Sequence, residues 1–463
     1  MVKESAVLKS ATAAEAKLIG TTFRVDGAPT GDAPELEGEV KRIAIRTHEH
    51  YGDVWERLDF PTSWDVQVQT MAGHDAPVLG HAEIQDRLRS PIATAPLREL
   101  AQGKRSAVIT FDDLTRPTPI SAVAPVVVAE LLAAGIPSDR IVFLAACGTH
   151  RNLEQDEVVR KLGFEQLQEL TWINHNPWDN LAEVGTTSTG NVVRINRTFA
   201  ASDLRITLSG VKIHGFAGYG GGAKSIVPGI AGFDTVNYNH TVLMKKLRAS
   251  PRPAREVIRV YHNDVRADME EAARLAKVDF SVQIVYNGER QVSAIFAGDI
   301  VEAFRSASRF AVGHYHTDAV ATPDVVVCNS YPQATQAKTN AWTDSVREGG
   351  TAVLIIQHPQ GISAMHYWGE HMQGQEGRSH LDVLGAAKTS LPGGRRLIVF
   401  SQYTDKRLRA RFPDGTFFTR NWFEVIKQIK SRHEGTIRVA VYPYAAIQHT
   451  QSRLDGPDEA PAP

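Results

Sequence analysis

An alternation of two hydrophobic periods constrains this chain more than any other feature. Short β-branched runs at 107–111 and 141–145 are each followed by a stretch with helical spacing, at 123–134 and 153–162. Strand, helix, strand, helix predicts a parallel sheet covered on both faces, because parallel neighbours need a crossover long enough to hold a helix. A third run at 204–213 feeds a Gly-rich loop and a helical pattern over 234–246. Strand-like runs recur at 324–328, 351–356, 396–400 and 437–441, with a helical pattern at 422–430. The expected class is α/β, with two α/β domains built on mainly parallel sheets. The expected partition is an N-terminal extension over 1–36, a first domain over 37–305, a second over 306–436, and a returning strand and tail over 437–463.

The 463 residues suffice for such domains, each with its own core. Lys and Arg total 51 against 52 Asp and Glu. With no broad basic field, nucleic acid is not expected as a partner. The two cysteines, Cys147 and Cys328, lie far apart in apolar runs and read as buried thiols of a reducing compartment. No apolar run reaches the roughly 20 residues of a membrane span, and the N-terminus lacks the apolar core of an export signal. A cytoplasmic protein without a membrane partner is expected.

In open parallel sheets ligands bind beyond the carboxyl ends of the strands, where loops and helix N-termini converge. The first strand runs into Asp112-Asp113-Leu114-Thr115-Arg116-Pro117, the second into Cys147-Gly148-Thr149-His150-Arg151. Arg116 has the paired donors that fit a carboxylate or phosphate, with Asp113 beside it to hold it. Taken alone, each segment is equally a surface turn or a structural histidine; their occurrence at successive strand ends points to a site. The third element is HGFAGYGGGAKS (214–225), with His240 sixteen residues after Lys224. It is not a Walker loop, since Ala223 stands where the last glycine should be. Its glycines permit close approach to a ligand, and Lys224 can serve as point charge or as nucleophilic amine.

Five segments carry a family resemblance: TFDDLTRPTP (110–119), CGTHR (147–151), INHNPWDN (173–180), GTTSTGNVVRINR (185–197) and HGFAGYGGGAKSIVPGIAG (214–232). PIATAPLREL (91–100) and NSYPQATQAK (329–338) extend it. Together they resemble the nickel-pincer-nucleotide lactate racemase family, in order and spacing. The resemblance implies a racemase or epimerase that inverts C2 of a 2-hydroxy acid by reversible hydride transfer, with the active site in the cleft between two α/β domains. The implied cofactor is the nickel pincer nucleotide (pyridinium-3-thioamide-5-thiocarboxylic acid mononucleotide with Ni), and the implied partners are cofactor-synthesis and nickel-insertion proteins. By resemblance the tethering lysine is Lys224, the nickel ligand His240, the acid/base pair His150 and His214, and the substrate arginine Arg116 with Asp113. Gly220, Gly221 and Gly222 would line the cofactor, and Thr186 and Thr187 would offer donors to its phosphate.

The chain departs from the family in one wall. A Gln-x-x-Lys pair reads Gln333-Ala334-Thr335-Gln336 here, with Lys338 displaced by two. Gln333, Gln336 and Lys338 are the expected substrate contacts, and Tyr331, Trp342 and His358 the expected border of a longer chain. Neutral amides suit a substrate larger than lactate, such as an aldonic or aromatic hydroxy acid. His175 reads as part of a turn network. His314, His316 and the stretch from His358 to His371 read as surface or inter-domain histidines, not as a second metal site. Two other readings remain open at this level: a metal-assisted hydrolase built on His150, His214 and His240, and a nucleotide-binding sensor without turnover.

Overall fold

A computed structural model describes residues 39–163, 170–249, 257–338, 342–361, 393–410 and 412–455. The expected extension over 1–36, the tail beyond 455 and the histidine-rich stretch past 361, with Trp368, lie outside the described residues.

Two six-stranded sheets organise two lobes. In the first, the spatial order is Val292–Gly298, Phe280–Tyr286, Leu204–Gly210, Ala107–Asp112, Ile141–Ala146 and Thr171–Asn174. All neighbours are parallel except the Phe280–Tyr286/Val292–Gly298 hairpin at the edge. The strands read as continuous apolar runs because both faces are covered, Ala107–Asp112 being buried along almost its whole length. Helix Ala124–Ala133 takes its start from Pro125 in its first turn, where a missing N–H costs nothing. Helix Gln155–Leu162 is closed by a Glu154/Glu157 capping box and ended by Gly163, whose φ is +84°.

The second sheet is parallel throughout, in the order Phe417–Thr419, Arg396–Phe400, Thr351–Ile355, Val325–Asn329, Arg438–Tyr442 and Asp65–Val68. The α/β class with mainly parallel sheets is therefore as expected. The strand pairing cuts across the expected partition in two places. Arg438–Tyr442 does not return to the first sheet; it lies inside the second, between Val325–Asn329 and Asp65–Val68. Asp65–Val68, expected with the first domain, is the edge of the second sheet, and the hairpin Val40–Thr47/Val54–Pro61 packs with it. The physical reason is apolar burial: Ile45, Leu58, Phe60, Trp64 and Val66 share one core with Val327, Val353, Phe400, Trp422 and Val441. The return to the first lobe comes later, where Arg453–Leu454 pairs with Val257–Ile258.

Candidate functional site

The carboxyl end of Ala107–Asp112 opens into a turn that Asp113 builds on itself, accepting the Thr115 N–H at 2.8 Å and the Thr115 hydroxyl at 2.5 Å. Its second oxygen meets His150 Nδ1 at 2.5 Å, joining the two neighbouring strand ends. Burial alone would raise the Asp113 carboxyl; the His150 imidazole, Arg116 and the Thr115 hydroxyl overcome this and hold it well below the usual carboxylate range. A buried anionic carboxylate on Nδ1 favours the tautomer that carries its proton on that nitrogen. Arg116 is steadied by the Thr115 carbonyl and hydroxyl. Beneath it, fully buried Lys161 donates to Asp112 at 2.6 Å and to the Arg116 and Thr118 carbonyls.

The Gly-rich segment begins with a minimal hairpin, Ile213–His214 against Gly218–Tyr219. The Phe216 ring at its tip gathers the other groups. It lies edge-on to His214 at 4.4 Å and to His240 at 5.0 Å, and Lys224 Nζ stands 5.0 Å over it. Lys224 sits in the single-turn helix Gly222–Ser225 and is almost fully buried. His240 lies in Tyr238–Leu243, a π-helical turn spliced between Phe233–Asn237 and Met244–Ala249. Such turns rotate the side chains that follow them and recur at functional sites. Burial, then the cations Lys224, Lys338, Arg116 and Lys212, push the His214 imidazole well below its ordinary value, so it is neutral. Its Nδ1 is buried with no hydrogen-bond partner among the described residues.

The glycines answer first to packing within the protein. A Cβ on Gly221 would come within 2.8 Å of Gln283 Oε1, and one on Gly222 within 2.7 Å of the Phe304 ring, both at positive φ. Gly220 has space around it, with no atom nearer than 3.7 Å. Arg266, wholly buried, braces the loop through the carbonyls of Ala217, Gly221 and Tyr219 and packs its guanidinium 4.1 Å over Phe304. Nothing in the spacing of the sequence marks Arg266 for this task.

The altered wall is brought to the same place. Gln333 donates to the Thr115 carbonyl at 2.7 Å and to Gln336 Oε1 at 2.7 Å, and accepts from Lys212 Nζ at 2.5 Å. Lys338 is close enough to depress both Lys212 and His214. Sequence reasoning missed Lys212, which it counted as one residue of a strand-like run. The available signal was a lysine between apolar neighbours two positions before His214. Burial first, then Lys338, Arg116 and Lys224, drive its ammonium well below the usual range.

Other expected residues sit elsewhere. The Thr187 hydroxyl is bound to Asp268 at 2.7 Å, in a buried network with Thr189, Asn191 and Asn239 that anchors the π-helical turn of His240; Thr186 is exposed on its strand. His175, read as part of a turn network, is instead a fully buried core residue bonded to the distant Ala231 carbonyl. His314 bonds the Tyr286 carbonyl. Trp342 is stacked on Tyr442 at 4.0 Å inside the second lobe, and Tyr331 is buried against Arg290, so neither borders the wall as expected. Among the described residues no three His, Cys, Asp or Glu side chains gather as a metal-ligand set, and His150, His214 and His240 do not form one. No described helix is long and apolar enough to cross a membrane.

Residues 51–250 match the family described as lactate racemase N-terminal domain. A lactate racemase of Lactiplantibacillus plantarum is 31% identical over 281 residues, 59% of this chain and 65% of that protein. One from Thermoanaerobacterium thermosaccharolyticum is 27% identical over 288 residues, 60% of this chain and 66% of that protein. The matched region thus spans just under two thirds of these relatives. In fold, the lactate racemase apoprotein of T. thermosaccharolyticum superposes with a TM-score of 0.64 at 21% identity, over 88% of this chain and 99% of that one. A Thermotoga maritima protein superposes with 0.58 at 18% identity, over 81% and 98%. The fold is shared over almost all of that apoprotein, and residues 51–250, which hold the strand ends and the Gly-rich segment, match the lactate racemase N-terminal domain.

Proposed function

We propose that this protein is a 2-hydroxy acid racemase or epimerase that works with the nickel pincer nucleotide. The observation that carries the reading is the convergence of His214, His240 and Lys224 on the Phe216 ring, while His150 is held by Asp113 at the adjoining strand end. These residues fit the cofactor. An imidazole is a suitable nickel ligand, a lysine amine can form a covalent attachment, and three further cations around the site suit the cofactor's anionic groups. Held by Lys224 and His240, the cofactor would supply a reversible acceptor for the hydride on C2.

The protein's own residues do the rest. Arg116 binds the substrate carboxylate through its fork and fixes C2 in place. His150, held by Asp113, and His214, kept neutral by burial and its cationic neighbours, each take the 2-hydroxyl proton from one enantiomer and return it when the other forms. Gln336 stands where the family has a lysine, and it accepts from Gln333, itself locked by Lys212 and Thr115; this pair of neutral amides favours an acid larger than lactate. No arrangement of the three histidines favours a hydrolase.

The test is intact mass and nickel content of protein coexpressed with the cofactor-synthesis enzymes, combined with chiral chromatography of a 2-hydroxy acid panel. The wild type carries a nucleotide adduct with nickel; Lys224→Ala loses the adduct, and His240→Ala keeps it but loses the metal. An adduct that survives in Lys224→Ala would overturn the assignment.

A further inference from the structure

The tip of the N-terminal hairpin, His48-Glu49-His50-Tyr51, belongs to none of the motifs above, yet it is wedged between the loops of both lobes. Glu49 is fully buried, and its Oε1 accepts the Ala334 N–H at 2.5 Å, which sets the tip directly behind Gln333. Tyr51 stands edge-on to His358 at 5.2 Å, with the Arg160 guanidinium 4.6 Å over its ring. Arg160 is next to Lys161, which holds the Arg116 carbonyl. The backbone is left-handed at His48, His50 and Asp53, with φ of 63°, 67° and 44°, a conformation that non-glycine residues adopt at a cost and that clusters at functional sites.

At this tip and on the His358 ring beside it, four buried polar atoms have no hydrogen-bond partner among the described residues: Glu49 Oε2, His50 Nε2, Tyr51 Oη and His358 Nε2. Glu49 and His358 are 0% and 2% exposed. Native proteins seldom leave such atoms unsatisfied, and a polar ligand that reached them would satisfy all four. Burial pushes the Glu49 carboxyl up to about 8 and the His358 imidazole down to about 4, so both are largely uncharged near neutrality. The set can therefore donate and accept hydrogen bonds without repelling a carboxylate.

We propose that His50, Tyr51, Glu49 and His358 form the distal end of the substrate site and hydrogen-bond the hydroxyl groups beyond C2 of a polyhydroxylated 2-hydroxy acid. The inference rests on the reaction proposed above and names its substrate class. An aromatic or alkyl chain would leave the four atoms unpaired, and a site built for hydroxyls rejects such analogues strongly. Gluconate and 2-hydroxyhexanoate share chain length and differ in the hydroxyls, so they isolate the effect.

Calorimetric titration of the cofactor-free protein should show gluconate binding at least 10-fold more tightly than 2-hydroxyhexanoate. Tyr51→Phe keeps the ring on His358 and Arg160, and His50→Asn keeps a residue that tolerates the left-handed backbone; the preference should fall at least 5-fold in one or both. No preference in the wild type, or an undiminished one in both variants, overturns the proposal. C2 inversion by the loaded enzyme is measured separately. Absence of inversion with the preference intact would sink the proposed reaction and leave this site standing.

Discussion

His214 shows how a single residue's chemistry is set by its neighbours. Burial and four cations keep it neutral, so it can act as a base well below the pH at which an ordinary histidine is half-protonated. Lys212 is one of those cations, and Lys212→Met removes its charge while filling much of its volume. We expect the acid limb of the kcat/KM profile to move upward, toward the ordinary histidine value of about 6.5, with the wild-type limb lying lower. An unmoved limb in a steady-state pH series would show that Lys212 does not act on the base. The residues of the proposed attachment motif stood out in the sequence because Gly-rich spacing, a loop-end lysine and strand-end histidines are local signals. Lys212, Arg266 and the Asp113 contact to His150 were less so: their roles depend on partners 121, 49 and 37 residues away.

At the scale of elements, seven of the twelve strands in the two sheets were readable from their periods, most within a residue or two of expectation, whereas Asp65–Val68, Thr171–Asn174, Phe280–Tyr286, Val292–Gly298 and Phe417–Thr419 were not read. The helix over 234–246 was readable only as a helix. Its π-helical turn at Tyr238–Leu243 has no compositional mark, because the change from four-residue to five-residue bonding leaves the apolar spacing almost unaltered. The Gly-rich segment is similar: its glycines were visible, but the buried guanidinium that braces them was not. Arg266→Met keeps the bulk against Phe304 and removes the guanidinium donors to the carbonyls of Ala217, Tyr219 and Gly221, of which Ala217 and Gly221 still accept the backbone N–H of Tyr219 and Lys224. A buried carbonyl left unpaired costs about 1–3 kcal/mol. Urea unfolding should therefore show a loss of about 1–3 kcal/mol, together with reduced cofactor attachment at Lys224. A stability within about 0.5 kcal/mol of wild type would mean that the loop does not lean on this arginine.

For the whole molecule, buried neutral histidines tie stability to pH. His175, His358 and His449 are each lowered to about 4 by burial, against about 6.5 in the unfolded chain. A depressed folded value means that the unfolded state binds the extra proton first. The stabilisation is complete above about pH 6.5 and is lost as the pH falls toward 4, at about 3 kcal/mol for each group. Glu49 acts in the opposite sense, its raised value of about 8 costing stability as pH rises from about 4.5 to 8. With three histidines against one carboxyl, thermal melts should give a lower Tm at pH 5 than at pH 7. His175→Asn should flatten that dependence, and an equal or higher Tm at pH 5 would contradict the account.

Sheet membership was the least legible level, because nothing near Asp65–Val68 announces a partner at Arg438–Tyr442. That pairing also has a consequence in time. Asp65 leaves the ribosome about 370 residues before the strand it must join, which at about 5–20 residues per second is a wait of roughly 20–70 s. All six strands of the first sheet are synthesised within that interval. The lobe carrying Lys224 and His240 can assemble while the N-terminal strand is still an open edge, and the second lobe closes last.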